Sequence, residues 1–162
     1  MRRLRPSTFL LFLLSLLLYS CSEAHDVLPP AADLHADARI ARAQRLPIVL
    51  FFYSKTCPFC REVEDVYLAR LQEENEKTPR FLLRTVEISQ TQALVSFDGI
   101  TTDYRAFAKQ QGVTLVPHLR FLGPGGEALA PDLVGLTTRD FYAGYLEDSI
   151  ATAVEKLRHG SR

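Results

Sequence analysis

Cys57 and Cys60 stand two residues apart around Pro58 and Phe59, directly after an apolar run that ends at Tyr53. A cysteine at the start of a helix meets unpaired backbone N–H groups and the positive end of the helix dipole, and both favour its thiolate over its thiol. Cys57 occupies that place. Cys60 lies about one turn further on, close enough to attack a mixed disulfide held on Cys57 and release the partner's sulfur. Cys57 is therefore the expected nucleophile and Cys60 the expected resolver. Pro58 has no N–H to lose at the first helical turn, and its fixed dihedral favours starting a helix there, while Phe59 offers an apolar surface for docking.

The same spacing also serves as half of a zinc site. A closed site needs two more ligands, and apart from Cys21 the candidates are His25, His35, His118 and His159, which form no second paired motif. No metal and no other cofactor is expected. A purely structural disulfide is the blander alternative, but this pair closes a ring too small to restrain much of the unfolded chain.

The third cysteine, Cys21, closes a leader. Arg2, Arg3 and Arg5 precede an apolar run from Phe9 to Tyr19, which has the length of a signal-peptide core and is short for a bilayer-spanning helix. Residues 1–20 read as an export signal. The stretch Leu18-Tyr19-Ser20-Cys21 resembles the bacterial lipobox, in which a small residue precedes a cysteine that is lipidated and becomes the mature N-terminus; Tyr19 is larger than the usual residue at its place. The alternatives are a short membrane anchor, or ordinary cleavage near residues 22–24. Lipid on Cys21 would hold the protein at a membrane on the exported, periplasmic side, where disulfide chemistry is possible.

The elements that must position Cys57 and Cys60 follow from pattern. The chain has 162 residues, 47% hydrophobic and 23% charged, enough for one compact domain. Its 19 basic residues balance 19 acidic ones, and no basic run follows residue 5, which excludes a nucleic-acid groove. Residues 21–32, with Pro29-Pro30, read as a linker, residues 33–158 as the folded domain and 159–162 as a disordered tail. Asp33 can cap a helix that ends before Pro47, and Ile48 to Tyr53 reads as a strand buried on both faces. A helix is predicted from Pro58 to about Asn75, a strand over 81–88 and a helix over 103–111 that Gly112 can terminate. Strands over 119–122 and 128–134 flank the turn Gly123-Pro124-Gly125-Gly126, and a last helix follows Thr138. The order α-β-α-β-α-β-β-α predicts an α/β fold with helices on both faces of a mixed sheet. Residues 89–101 give no readable pattern.

With these residues in place, Val49-Leu50-Phe51-Phe52-Tyr53-Ser54-Lys55-Thr56-Cys57-Pro58-Phe59-Cys60 resembles the strand-to-active-site segment of the thioredoxin superfamily. Gly112-Val113-Thr114-Leu115-Val116-Pro117 resembles the stretch leading to that family's cis-proline, and Gly135 another family glycine near the active-site surface. The resemblance covers roughly residues 33–158. It implies a thioredoxin fold, a central mixed β-sheet flanked by helices on both faces. It also implies a catalytic Cys57/Cys60 pair, and a substrate groove formed by Pro58, Phe59, Val116 and Pro117, with the Val116 backbone free to pair with an extended peptide. The alternative for Pro117 is a trans proline at a strand edge.

Two departures stand out. Thioredoxin carries a buried aspartate six residues before its first active-site cysteine, where this chain has Phe51, and a tryptophan where it has Thr56. Water or Glu87 would have to take the proton of Cys60, with a surface position the expectation for Glu87. Lys55 is expected as a solvated charge, and His118, beside Pro117, as a plain strand residue.

The function implied is reduction of disulfides in exported proteins through Cys57 and Cys60, with electrons from a membrane donor; the alternative is a periplasmic dithiol oxidant, since the dipeptide Pro58-Phe59 does not fix the direction. An isomerase would need a dimerisation domain that the short linker cannot supply. From another class, a thioredoxin scaffold could bind a peptide or metal without turnover. Copper-delivery relatives space their cysteines one residue wider. A monomer is expected.

Overall fold

The computed structural model describes residues 28–159; the leader, Cys21, His25 and the last three residues lie outside them. Asp33 accepts the Ala36 N–H at 2.7 Å and so caps α1 (Leu34–Gln44), whose Leu34, Ala38 and Ala41 are buried. The helix stops at Arg45, which takes a left-handed conformation, φ 55°. The next segment is β1 (Ile48–Tyr53). It pairs parallel with β2 (Leu82–Glu87) and antiparallel with β5 (His118–Leu122), which in turn pairs antiparallel with β6 (Leu133–Val134). The sheet order is β2-β1-β5-β6. With a neighbour on each side and helices on both faces, β1 must be apolar throughout, and this is the origin of its unbroken hydrophobic run.

Side chains alternate across that strand into two cores. Val49 and Phe51 pack with Cys60, Val63, Leu146 and Ile150, whereas Ile48, Leu50 and Phe52 pack with Leu34, Ala41 and Phe107. The first core is roofed by the segment that follows Cys57: α2 (Pro58–Glu62), one π-helical stretch (Val63–Leu68) and α3 (Ala69–Lys77). The predicted single helix is thus locally widened, an alteration frequent at functional sites that leaves no mark in hydrophobic spacing.

Elsewhere the expectations need adjusting. The packed chain begins before Asp33. Leu28 and Ala31 are buried, and the Ala31 N–H donates to the Thr85 carbonyl while the Thr85 N–H donates to Pro29, both at 2.9 Å, so this proline-rich stretch runs along the outer edge of β2 rather than hanging free. The unread insert contains a hairpin, β3 (Ala93–Val95) and β4 (Thr101–Asp103), too short to show a period, with Leu94 buried in the second core. Asp103 then caps α4 (Tyr104–Gln110), and Gly112 follows at φ 70°. The turn after β5 closes with the Gly126 N–H on the Gly123 carbonyl at 2.9 Å. The strand expected over 128–134 shrinks to β6, because Pro131 has no N–H to offer a ladder. α5 (Arg139–His159) completes the fold against the first core and carries the helix through His159, beyond the expected start of the tail.

Candidate active site

A residue preceding proline is pushed out of the helical region into extended backbone, the conformation an N-cap requires. Cys57, before Pro58, is the N-cap of α2, with φ −89° and ψ 112°. Its sulfur accepts the Cys60 N–H at 3.2 Å, so one of the helix's unpaired donors is aimed at the atom where negative charge develops in thiol exchange. The Cys57 N–H donates to the Ser54 carbonyl at 3.0 Å and fixes the turn out of β1. Cys57 is half-buried and Cys60 fully buried behind it, both as free thiols.

The second wall of the site comes from the segment leading into β5, the strand next to β1. The Val116–Pro117 peptide is cis, and the Cys57 thiol points to the Val116 carbonyl at 3.8 Å. The Gly135 N–H donates to the Pro117 carbonyl at 2.8 Å, with Gly135 at φ 76°, a conformation that favours glycine. The structure thus brings Cys57, Cys60, Pro58, Phe59, Val116 and Pro117 to one end of the sheet. Phe59, next to Pro58, and Leu115, next to Val116, are exposed apolar side chains, at 49% and 65% exposure.

Burial pushes the Cys60 thiol up to about 12, helped by its hydrogen bond to Cys57 and by the charges of Cys57 and Glu64; the Ser54 backbone works in the other direction. In the folded protein Cys60 therefore holds its proton above its ordinary value of 9.0, and between 9.0 and about 12 the folded state binds more protons than the unfolded state. Stability from this group is complete below the unfolded value and is lost as pH rises through the folded one. We expect the reduced protein to lose urea resistance as pH is raised from 8 to 11, and a Cys60→Ala variant to lose less over that range.

The supporting residues depart from expectation in one case. Glu87 is only 2% exposed, not a surface residue. Its carboxylate accepts the Lys55 N–H at 3.3 Å, the Ser89 N–H at 3.2 Å and the Ser89 hydroxyl at 2.7 Å, which satisfies it where it lies and ties the loop before Cys57 to the end of β2. Composition-based burial rules miss this because those donors come from backbone and from a neighbouring serine. Phe51 fills the thioredoxin aspartate's place with a buried ring stacked on Tyr53, centroids 5.5 Å apart. The Thr56 hydroxyl lies 3.1 Å from that of Ser54. His118 packs edge-on against Phe52, in the second core, and bonds Asp132 at 2.9 Å, so its ring is on the other face of the sheet from Cys60.

One feature was not legible at all: Arg139, at the start of α5, grips Glu62 with Nε–Oε1 at 2.5 Å and Nη2–Oε2 at 3.0 Å. The guanidinium holds the Glu62 carboxyl below its usual range. Nothing local to residue 62 announces a partner so far along the chain. Among the described residues no group of three or more His, Cys, Asp or Glu side chains is placed to hold a metal ion, and no helix is long and apolar enough to cross a membrane.

Comparison with known proteins agrees with this geometry. The family described as Thioredoxin-like domain matches residues 34–150. Mitochondrial thioredoxin 3 from Saccharomyces cerevisiae, in its oxidized form, superposes with a TM-score of 0.51 at 17% identity, covering 76% of this chain and 93% of that one. Fasciola hepatica thioredoxin gives 0.50 at 16% identity, covering 76% and 97%. At these identities the structural likeness speaks to the fold. No curated protein sequence matches the chain significantly. With a mixed four-stranded sheet between two helical layers, a cysteine pair opening α2 and a family match across most of the folded residues, the chain belongs to the thioredoxin-like domain family.

Proposed function

We propose that the protein is a dithiol reductase of disulfides in exported proteins, held at a membrane by lipid on Cys21. The observation that carries the redox part is the pairing of a half-buried, helix-capping Cys57 with a buried Cys60 whose N–H it accepts. The Cys57 thiolate attacks one sulfur of a substrate disulfide. The other substrate sulfur leaves as a thiolate and takes up a proton. Cys60 then loses its proton to water and attacks the Cys57 sulfur, the second substrate thiolate departs, and two electrons have passed from the domain to the substrate as a Cys57–Cys60 disulfide forms. A dithiol donor in the membrane returns them.

The electrostatics favour this sequence of events. Two of the influences that keep Cys60 protonated, its hydrogen bond to Cys57 and the charge on Cys57, disappear once the Cys57 sulfur is bonded to substrate. Cys60 is thus a poor nucleophile in the resting dithiol and a better one when a mixed disulfide needs resolving. The Val116 carbonyl beside Cys57 supplies an acceptor for the backbone of an extended substrate.

Export rests on the leader, Arg2 to Tyr19 followed by Ser20-Cys21. Rapid acid quenching of cells and alkylation of free thiols, done separately on membrane and soluble fractions, tests both parts. A reductase fed by a membrane donor is recovered mainly with Cys57 and Cys60 reduced, in the membrane fraction, and Cys21→Ser moves it to the soluble one. Recovery mainly as the disulfide supports the opposite direction, an oxidant running the same steps in reverse.

A further inference from the structure

Phe59 occupies an exposed position between the two cysteines, where an unrestrained ring would sample several rotamers. It is not unrestrained. The Arg139 guanidinium carbon lies 5.8 Å from the Phe59 ring centroid, within reach of a cation–π contact. The guanidinium is itself fixed by its two-pronged bond to Glu62, which stands three residues after Phe59 and therefore on the same side of α2. The backbone of Arg139 is held too. Its carbonyl accepts the Tyr67 hydroxyl at 3.1 Å, and the Tyr67 ring packs on Tyr142 at 4.8 Å, so the π-helical stretch and α5 grip the arginine at both ends. An isolated exposed ion pair contributes little, but this one is bidentate and braced at the main chain.

We propose that Arg139 is a positioning residue for substrate: fixed by Glu62, it holds the Phe59 ring as one wall of the groove beside Cys57, with Leu115 and the Val116 carbonyl as the other. Two apolar walls flanking a hydrogen-bonding edge suit an extended polypeptide whose cystine has apolar neighbours, in preference to a small soluble disulfide. The proposal rests on the reading of Cys57 and Cys60 as a disulfide-reducing pair.

The test uses the full chain and two probes: a short peptide whose cystine is flanked by leucine and phenylalanine, and hydroxyethyl disulfide. Arg139→Ala is expected to raise KM for the peptide about two- to fivefold, the span a lost exposed cation–π contact allows, with kcat nearly constant. The ratio of peptide to small-disulfide kcat/KM falls by the same factor. Arg139→Lys, which keeps the charge but cannot bind Glu62 through two N–H groups, falls between Arg139→Ala and the wild type. In a Phe59→Ala background the Arg139→Ala change adds nothing, because the arginine acts through the ring. An unchanged peptide KM, or an equal rise with and without Phe59, would overturn the proposal while leaving the dithiol reading intact. Failure of the wild type to reduce either probe would remove both.

Discussion

Cys57→Ser is expected to reduce turnover of any disulfide substrate to background, a loss of more than about 1,000-fold, equivalent to about 4 kcal/mol of barrier. The hydroxyl cannot form the mixed disulfide, and Cys60 cannot replace it, since it is buried behind residue 57 and burial, the largest of the influences on its thiol, still favours the protonated form. Cys60→Ser should behave differently. It leaves the first attack intact and removes the resolving one, so a Cys57–substrate mixed disulfide accumulates toward one per protein, visible as added mass that a reductant releases. Equal and complete loss in both variants, with no trapped species, would mean the two sulfurs do not act in sequence. Full biological activity in Cys57→Ser would place the protein among thioredoxin-fold binding modules instead.

Phe51→Ala should lower unfolding free energy by about 3–5 kcal/mol, the range for truncating a fully buried aromatic ring. Phe51 is 0% exposed, faces the first core, stacks on Tyr53 and sits in register between Thr85 of β2 and Leu119 of β5, so no element can easily close over the cavity. Urea unfolding followed by circular dichroism measures it. Phe59→Ala is the control: the residue is 49% exposed, and its loss, with that of its contact to Arg139, should cost no more than about 1 kcal/mol. A cost for Phe51→Ala no larger than for Phe59→Ala would mean the first core is not built on β1.

What could be read in the chain was what depends on neighbours in sequence. Pro58 dictates the start of α2; Asp33 caps the helix it precedes; Ile48 to Tyr53 announce a doubly covered strand. What could not be read depends on distant partners. Glu87 looks like a surface acid until Ser89 and the Lys55 N–H turn it inward, and Leu28 to Ala31 look like linker until β2 offers a free edge. The π-helical stretch adds width to a helix without altering which residues are apolar. The grip of Arg139 on Glu62 and Phe59 joins residues that share nothing in sequence. The chemistry was therefore local, and its support was assembled by the fold.

The reduction potential of the Cys57/Cys60 pair, measured by equilibrating the protein in graded thiol–disulfide buffers and trapping free thiols, tests the reductase reading most directly. A reductase gives a value near the thioredoxin end of the scale, about −270 mV; a value near about −120 mV would contradict that reading and make the protein an oxidant.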